Sequence, residues 1–394
     1  MYGPFLKAKS VLEKIEKAGF EAYFVGGSVR NFLIDIPIED VDIATSATPY
    51  ELKEIFPKTF DVGIEHGTII VIHNQIPYEI TTFRTEGEYE DFRHPKEVTF
   101  VRSLHEDLKR RDFTMNAIAM SKEGKIIDPF DGQKDIKRKL IRTVGNPSER
   151  FHEDALRMMR AVRFVSQLSF QLEEETIRAI QNDVQLLDFI AVERKFTEFQ
   201  KLLKGENRHQ ALNALVNLGL HHYLPRLSKY GKEIVQAAQI MGSRSLTVDE
   251  AWAILLLFIE RENPKDFLKS WRMSMNQLKT IESIMETYHE RKRNGWSKKL
   301  IFQKGIDISK QAEHVFALIH QCSEEIGLLE VEQIYESLPI KDRSELAVNG
   351  HDLMEWMQMK SGVWIKDLLE KIEDAVLHNK VMNSKEAIKE WIQN

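Results

Sequence analysis

The sequence predicts an α+β fold, with a head of short strands and helices followed by an all-helical remainder. Three observations carry this. Apolar residues recur at helical spacing over the first 20 positions (Phe5, Ala8, Val11, Leu12, Ile15). From about residue 21 to 130, β-rich runs alternate with helices. After about residue 148 helical periodicity continues to the C-terminus with few strand candidates.

Taken in order, Ala22–Val25 is an apolar run that reads as a buried strand ending in Gly26-Gly27-Ser28-Val29-Arg30. Twelve residues separate Gly27 from Asp40, room for a helix and a turn before a strand bearing Asp40-Val41-Asp42. Thr48-Pro49 predicts a helix start, with threonine as N-cap and proline at the first helical position. Residues 68–72 and 78–83 predict a hairpin turning through His73-Asn74-Gln75. No internal repeat, low-complexity tract or long linker interrupts the chain.

Composition bounds the function class. The 394 residues suffice for two to four domains, and 42% hydrophobic with 29% charged residues describes a globular protein. One cysteine, Cys322, excludes a disulfide framework and a cysteine-based zinc site; its helical surroundings predict a buried thiol. No stretch has the apolar core of a signal peptide or the roughly 20 apolar residues of a membrane span, so a cytoplasmic, membrane-free protein is expected. The net charge of −6 argues neither for nor against nucleic acid, because binding follows local potential. Basic runs stand at 109–111, 137–139 and 291–293; each alone is commonly a solvated helix face.

Within this layout, several constellations carry chemistry. In a strand, i and i+2 share a face, so Asp40 and Asp42 are expected to project together, close enough to share a divalent cation. Alone, such a pair is often a solvated strand end. Gly26 and Gly27 change that reading, because a glycine turn opening a helix can approach phosphates. Glu79, in the second hairpin strand, is either a third carboxylate for the site or a surface glutamate. Arg110-Arg111-Asp112-Phe113-Thr114-Met115-Asn116 combines guanidinium forks suited to phosphates with the Asn116 amide, suited to a ribose or base; Asp112 also fits a helix cap. From Glu153 to Phe164 the pattern reads as one helix on which Asp154 and Arg157 are neighbours. They form either an intrahelical ion pair or a base-reading pair. Arginines recur at 157, 160 and 163, each step drifting by about 60°, so Asp154 and Arg163 face nearly opposite ways and all four cannot read one base; Arg160 and Arg163 are expected to reach phosphates further along a large ligand.

In this order, Gly-Gly-Ser-Val-Arg, Asp40-Val41-Asp42, Arg-Arg-Asp-x-x-x-Asn and Glu-Asp-x-x-Arg resemble the class II CCA-adding enzymes of the Bacillus type, tRNA nucleotidyltransferases of the poly(A) polymerase superfamily. Glu193-Arg194 resembles the family's neck, and Asn349-Gly350-His351-Asp352-Leu353 and Gly362-Val363-Trp364-Ile365 its tail. The resemblance implies a catalytic head at 1–147, a neck at 148–205, a body at 206–300 and a tail at 301–394, the last two binding tRNA. It implies that C, C and A are added to the tRNA 3′ end from CTP and ATP without a nucleic-acid template. Asp40 and Asp42 would bind Mg²⁺, with two ions expected, and Gly27, Arg30, Arg111, Arg160 and Arg163 would hold the nucleotide. Asp154 and Arg157 would select the base.

The selection has a chemical rationale. Cytosine and adenine both present an amino group beside a ring-nitrogen acceptor, matching a carboxylate acceptor and a guanidinium donor. Uracil and guanine put a carbonyl where the carboxylate needs a donor, and such mismatches cost roughly 10⁴-fold. One departure is Asn31, where the family usually has Asp.

The polar segment 84–95 resembles the mobile element by which full CCA enzymes switch from C to A, which argues against CC-only addition. A-only or poly(A) addition, and a catalytically inactive RNA-binding homologue, are the alternatives. His351-Asp352 is a solitary pair expected to be structural. Residues 291–293 and Lys298-Lys299 are candidate tRNA contacts, and no obligatory protein partner is evident.

Overall fold

The protein is described from a computed structural model covering residues 3–87, 98–259 and 263–393. Contacts divide it into two compact units, Met1–Ala238 with Gly242–Arg244, and Gln239–Met241 with Ser245–Asn394.

The first unit opens with α1 (Pro4–Lys17), whose Phe5, Ala8, Val11, Leu12 and Ile15 are fully buried, as the helical spacing predicts. β1 (Ala22–Val25), α2 (Gly27–Leu33), β2 (Asp42–Thr45) and α3 (Pro49–Ile55) follow. Thr48 caps α3 in a reciprocal box with Glu51, with Pro49 in the first turn. β3 (Thr59–Gly63), β4 (Thr68–His73) and β5 (Ile76–Thr82) come next. The expected hairpin forms from β4 and β5, with a two-residue turn at Asn74 and Gln75, both at positive φ.

β6 (Arg84–Glu86) pairs with β7 (Val98–Phe100) as a separate ribbon. The segment expected to switch nucleotide, 84–95, therefore contributes β6, and from residue 88 it lies outside the described residues. Next come α4 (Leu104–Lys109), β8 (Ala119–Met120), β9 (Ile126–Ile127), α5 (Gly132–Lys137) and β10 (Leu140–Ile141). The sheet is mixed, in the order β3-β4-β5-β2-β1-β8-β9, with β2 and β5 parallel and the other pairs antiparallel. Leu104 and Leu108 of α4 pack with Val25, Ala44, Phe83 and Ala119 of the sheet region. That anchor fixes where Arg110 and Arg111 emerge from the helix end.

Helices then dominate, as expected: α6 (Pro147–Glu153), α7 (Leu156–Leu168), α8 (Glu174–Asp183), α9 (Val192–Lys204), α10 (Arg208–Asn217) and α11 (Gly231–Met241), with one short strand, β11 (Gln171–Leu172), beside β10. The second unit contains α12 (Val248–Phe258), α13 (Pro264–Ser270), α14 (Met275–Asn294), α15 (Lys298–His320), α16 (Glu324–Glu336), α17 (Gly350–Met357), α18 (Val363–Leu377) and α19 (Lys385–Gln393). Its core is built from residues such as Trp252, Phe267, Trp271, Leu278 and Ile281. Among the described residues no helix is long and apolar enough to cross a membrane.

Two sequence expectations are corrected. The stretch from Glu153 to Phe164 is not one helix, because Asp154 takes an extended backbone (φ −140°, ψ 101°) that ends α6, and α7 begins at Leu156. Cys322 is exposed, not buried, since Gln321 in the left-handed region closes α15 before it.

α7 and α9 touch closely where Gly205, the C-cap of α9, meets Ser166. A Cβ on Gly205 would lie 2.2 Å from Ser166 Oγ and 2.7 Å from the Ser166 carbonyl carbon. Gly205→Ala is expected to destabilise the protein by about 1–3 kcal/mol through forced displacement of α7. Chemical denaturation measures this, and an unchanged midpoint would show that the helices can part at no cost.

Candidate active site

Strand register decides which side chains converge. Val25 pairs with Asp42 across β1 and β2, and Ile43 pairs with Ile80 across β2 and β5. Moving the parallel register back one residue sets Asp42 beside Glu79, at the end of the sheet where β1 gives way to Gly26. Gly26 has φ 71°, and a Cβ there would lie 3.0 Å from an Arg111 guanidinium nitrogen and 3.6 Å from an Asp42 carboxylate oxygen. The left-handed backbone favours glycine here, and a side chain would also crowd the Arg111 guanidinium.

The expectation that Asp40 and Asp42 share one strand face needs correcting. β2 begins at Asp42, because β1 stops at Val25 and leaves earlier residues without a pairing partner. Asp40 precedes the strand as an exposed residue. Its charge nonetheless reaches the others. Burial raises the Asp42 pKa and Asp40 adds to that rise, while Arg111 opposes it. Glu79 is raised by burial, then by Asp42 and Asp40. Mutual repulsion among carboxylates suits a cation, and an all-oxygen donor set suits Mg²⁺, which commonly takes one or two carboxylates with substrate phosphates. No group of three or more His, Cys, Asp or Glu among the described residues could hold a metal ion by itself.

Asp42 and Glu79 open onto a cavity of about 790 Å³, lined also by Gly26, Gly27, Arg30, Arg111, Asn116, Asp154, Arg157, Arg160 and Arg163. Asp40 is not among its lining residues. Among the described residues eight arginines and five carboxylates face this cleft, so a chain of net charge −6 presents a locally positive site.

Buried carboxylates hold the arginines. Asp107, fully buried on α4, accepts from Arg110 Nε and Nη2 (3.0 and 2.7 Å) and from Arg111 Nη2 (3.2 Å). Arg110 also donates to Glu86 of β6 at 3.3 Å, and Glu86 is bound by Arg84. Asp112 does not cap a helix as expected, since the 3₁₀ turn Thr114–Asn116 starts after Phe113. Its Oδ1 accepts from Phe113 N (2.8 Å) and Asn116 Nδ2 (3.0 Å), its Oδ2 from Arg160 Nε (2.7 Å). Glu198 of α9 lies 3.0 Å from Arg163 Nε and 3.9 Å from Arg160.

Arg30 hydrogen-bonds to neutral amides. Nη1 donates to Asn116 Oδ1 at 2.5 Å, and Nε and Nη2 donate to Asn31 Oδ1 at 3.2 and 2.9 Å. Arg30, Arg160 and Arg163 all crowd the Phe164 ring, their guanidinium carbons 5.1, 5.8 and 4.1 Å from its centroid. Burial and the Arg163 charge push Arg30 down to about 10. Burial likewise pushes Arg163 down to about 10, with Glu198 opposing and Arg160 adding.

At the other end, the side chains of Asp154 and Arg157 take different partners. Arg194 of α9 binds Asp154 with two nitrogens, Nη1 to Oδ1 at 3.2 Å and Nη2 to Oδ2 at 2.8 Å. Arg157 bonds to Glu153 and to the carbonyls of Arg150 (3.0 Å) and Arg110 (3.1 Å). Arg194, Asp107, Glu198 and Phe164 are the residues that sequence reasoning missed. The signals were Glu193-Arg194 as a neck-like element, and Arg194 and Glu198 at i and i+4 on one helix, opposite in sign to Asp154 and Arg163.

In the second unit, Arg291 donates to the buried Glu313 at 2.9 Å. Asp352 completes the capping box at Asn349 and binds Lys385 at 2.6 Å, a structural role as expected.

Asp112 gives a measurable handle. Burial alone would raise its pKa, but the Arg160 charge and the hydrogen bonds from Asn116 and Arg160 hold it well below the usual carboxylate range. A depressed folded pKa contributes stability above the unfolded value, about 3.9, and loses it as pH falls toward the folded value. Asp112→Ala is expected to cost on the order of 3 kcal/mol at pH 7. The gap to the unmodified protein should narrow from pH 5 to pH 3 in urea denaturation, whereas a constant gap would mean that lost packing dominates.

Comparison with known proteins follows this geometry. The Poly A polymerase head domain family matches residues 22–142, the probable RNA and SrmB-binding site of polymerase A matches 169–230, and a tRNA nucleotidyltransferase domain 2 family matches 244–392. A CCA-adding enzyme of Bacillus cereus is 48% identical over 99% of this chain and 98% of its own. A CCA-adding enzyme of Bacillus anthracis matches equally over the same shares. The crystal structure of the Bacillus stearothermophilus CCA-adding enzyme in complex with CTP superposes with a TM-score of 0.91 at 42% identity, over 100% of this chain and 98% of that one. The chain therefore belongs to the CCA-adding enzymes, the nucleotidyltransferases of tRNA processing.

Proposed function

We propose that this chain adds C, C and A to the 3′ end of tRNA from CTP and ATP, without a nucleic-acid template and with Mg²⁺. One observation carries the reading: a single cleft brings Asp42 and Glu79, the arginine cluster, and Asp154 with Arg157 to one cavity. Its volume lies in the range of small-ligand sites. The CTP complex of the similar Bacillus stearothermophilus enzyme supports a nucleotide there.

In this reading the triphosphate lies against Gly26, Gly27, Arg30, Arg111, Arg160 and Arg163. Arg30 matters most, because Asn31 and Asn116 position it without cancelling its charge. Asp154 accepts from the amino group of cytosine or adenine, and Arg157 donates to the neighbouring ring nitrogen. Asp42 with Asp40 would hold Mg²⁺, which supplies Lewis-acid activation of the hydroxyl and charge neutralisation at the phosphates. Glu79, its pKa raised, accepts a hydrogen bond from the attacking 3′-hydroxyl and orients it. The hydroxyl oxygen, giving up its proton to solvent, bonds to the α-phosphorus as the bond to the β-phosphate oxygen breaks, releasing pyrophosphate. We assign catalysis to 1–147, base choice to 148–205, and the acceptor arm to 206–300 and 301–394.

The test is incubation with tRNA lacking its 3′ CCA, labelled CTP or ATP, and Mg²⁺. Stepwise addition of two C and one A is expected. Incorporation of A alone, or a long A tract, would replace the reading with the corresponding activity, and no label in tRNA would remove it. Asp42→Ala is expected to abolish incorporation of both nucleotides while tRNA binding stays within about twofold. Arg157→Ala is expected to relax the CTP-to-UTP preference by about tenfold or more, the worth of one charged hydrogen bond. An unchanged preference would take Arg157 out of base reading.

A further inference from the structure

We propose that Arg194 is a positioning residue for base choice, reducing Asp154 to one acceptor in one orientation; this rests on the proposed role of Asp154 as a base reader. Asp154 stands in the break between α6 and α7, where its extended backbone leaves its own helix unable to fix the side chain. Two donors fix it instead. Arg194 grips both carboxylate oxygens, and the backbone N–H of Leu156 donates to Oδ1 at 3.1 Å. A carboxylate offers about four lone-pair positions. Oδ1 has both engaged and Oδ2 has one, leaving a single position on Oδ2.

That count has chemical consequences. One remaining acceptor matches one N–H of an exocyclic amino group, and it has nothing to offer a carbonyl oxygen. The fork also fixes the carboxylate plane, which a lysine at the same place would not do. The pair is close to neutral as a unit, so a triphosphate entering the cleft meets no net negative charge at the base end.

Placement supports a role in choice and not merely in folding. Arg194 and Asp154 both line the cavity, and their side chains are 24% and 19% exposed. The other base reader, Arg157, is held by Glu153 and two carbonyls from outside α9. Loss of Arg194 should therefore disturb the acceptor half of the base contact and spare the donor half. One turn further along α9, Glu198 lies against Arg163, so the same helix registers both ends of the nucleotide.

The experiment measures Kd for CTP and UTP, with kcat and KM for CTP incorporation, in Arg194→Met, Arg194→Lys, Asp154→Asn and the double variant Asp154→Asn with Arg194→Met. Arg194→Met is expected to lower the CTP-to-UTP binding ratio by about 10- to 100-fold, the range of a charged hydrogen bond. Arg194→Lys should fall between it and the unmodified protein. In the Asp154→Asn background, Arg194→Met should change the ratio by less than about twofold, as coupled residues require. A full CTP-to-UTP ratio in Arg194→Met, or the same drop in both backgrounds, would overturn the role of Arg194. If Asp154→Asn itself leaves the ratio unchanged, the underlying reading of Asp154 is what fails. Should Arg194→Met not fold, Arg194→Lys carries the comparison in both backgrounds, judged by the same two outcomes.

Discussion

Crowded arginines repel one another, and the first unit is organised around holding eight of them at one cleft. Two like charges about 5 Å apart cost roughly 3 kcal/mol at an effective dielectric near 20. The counter-charges come from separate elements: the buried Asp107 from α4, Asp112 from the turn after it and Glu198 from α9, and the half-buried Glu153 from α6. Each joins an arginine across or beside an element boundary. Displacing α6, α7 or α9 would leave a carboxylate and a guanidinium unpaired in a poorly solvated place, which costs far more than the pair itself contributes. The positive surface offered to a ligand is thus also a set of ties between α4, α6, α7 and α9.

Much of this is legible in the sequence, for identifiable reasons. Periodicity places α1, Ala22–Val25 as a strand and the β4–β5 hairpin, because each buries one face and each face has a fixed spacing. The chemistry-bearing residues stand in short motifs with a mechanical reason to exist. What cannot be read is whatever depends on residues far apart in sequence. Asp40 reads as a strand residue because spacing cannot say where β1 ends. Asp154 reads as helical because its neighbours favour a helix, and the bidentate grip of Arg194, forty residues on, together with the Leu156 N–H, accounts for the carboxylate's orientation. Cys322 looks buried by context, but a left-handed Gln321 ends the helix just before it.

The missed residues share a property. Asp107, Glu198 and Arg194 each bond to another side chain that lines the cleft, and a linear motif records cleft-lining residues better than the partners that hold them. Glu198 and Arg194 are nonetheless marked by charge order: on α9 they run plus then minus, and Asp154 and Arg163 run minus then plus. Such antisymmetry between α9 and the stretch from the α6–α7 break into α7 is a sequence-level sign of pairing between them. It needs the knowledge that they touch, which the Gly205–Ser166 approach provides.

Asn31 shows how far geometry and charge can be separated in the same place. Its Oδ1 takes two hydrogen bonds from Arg30, the arrangement a carboxylate would also accept. Orientation is therefore kept. Cancellation is not, because an amide carries no charge, and Asn116, the other bonded partner of Arg30, is an amide as well. Burial and the neighbouring guanidiniums then act on Arg30 with only Asp112 against them, which is why its pKa sits near 10. At that value Arg30 is still charged at neutral pH, so among the described residues a buried cation with no bonded carboxylate faces the cleft. An anionic ligand is the partner such a group lacks, and a triphosphate satisfies it better than a monoanion.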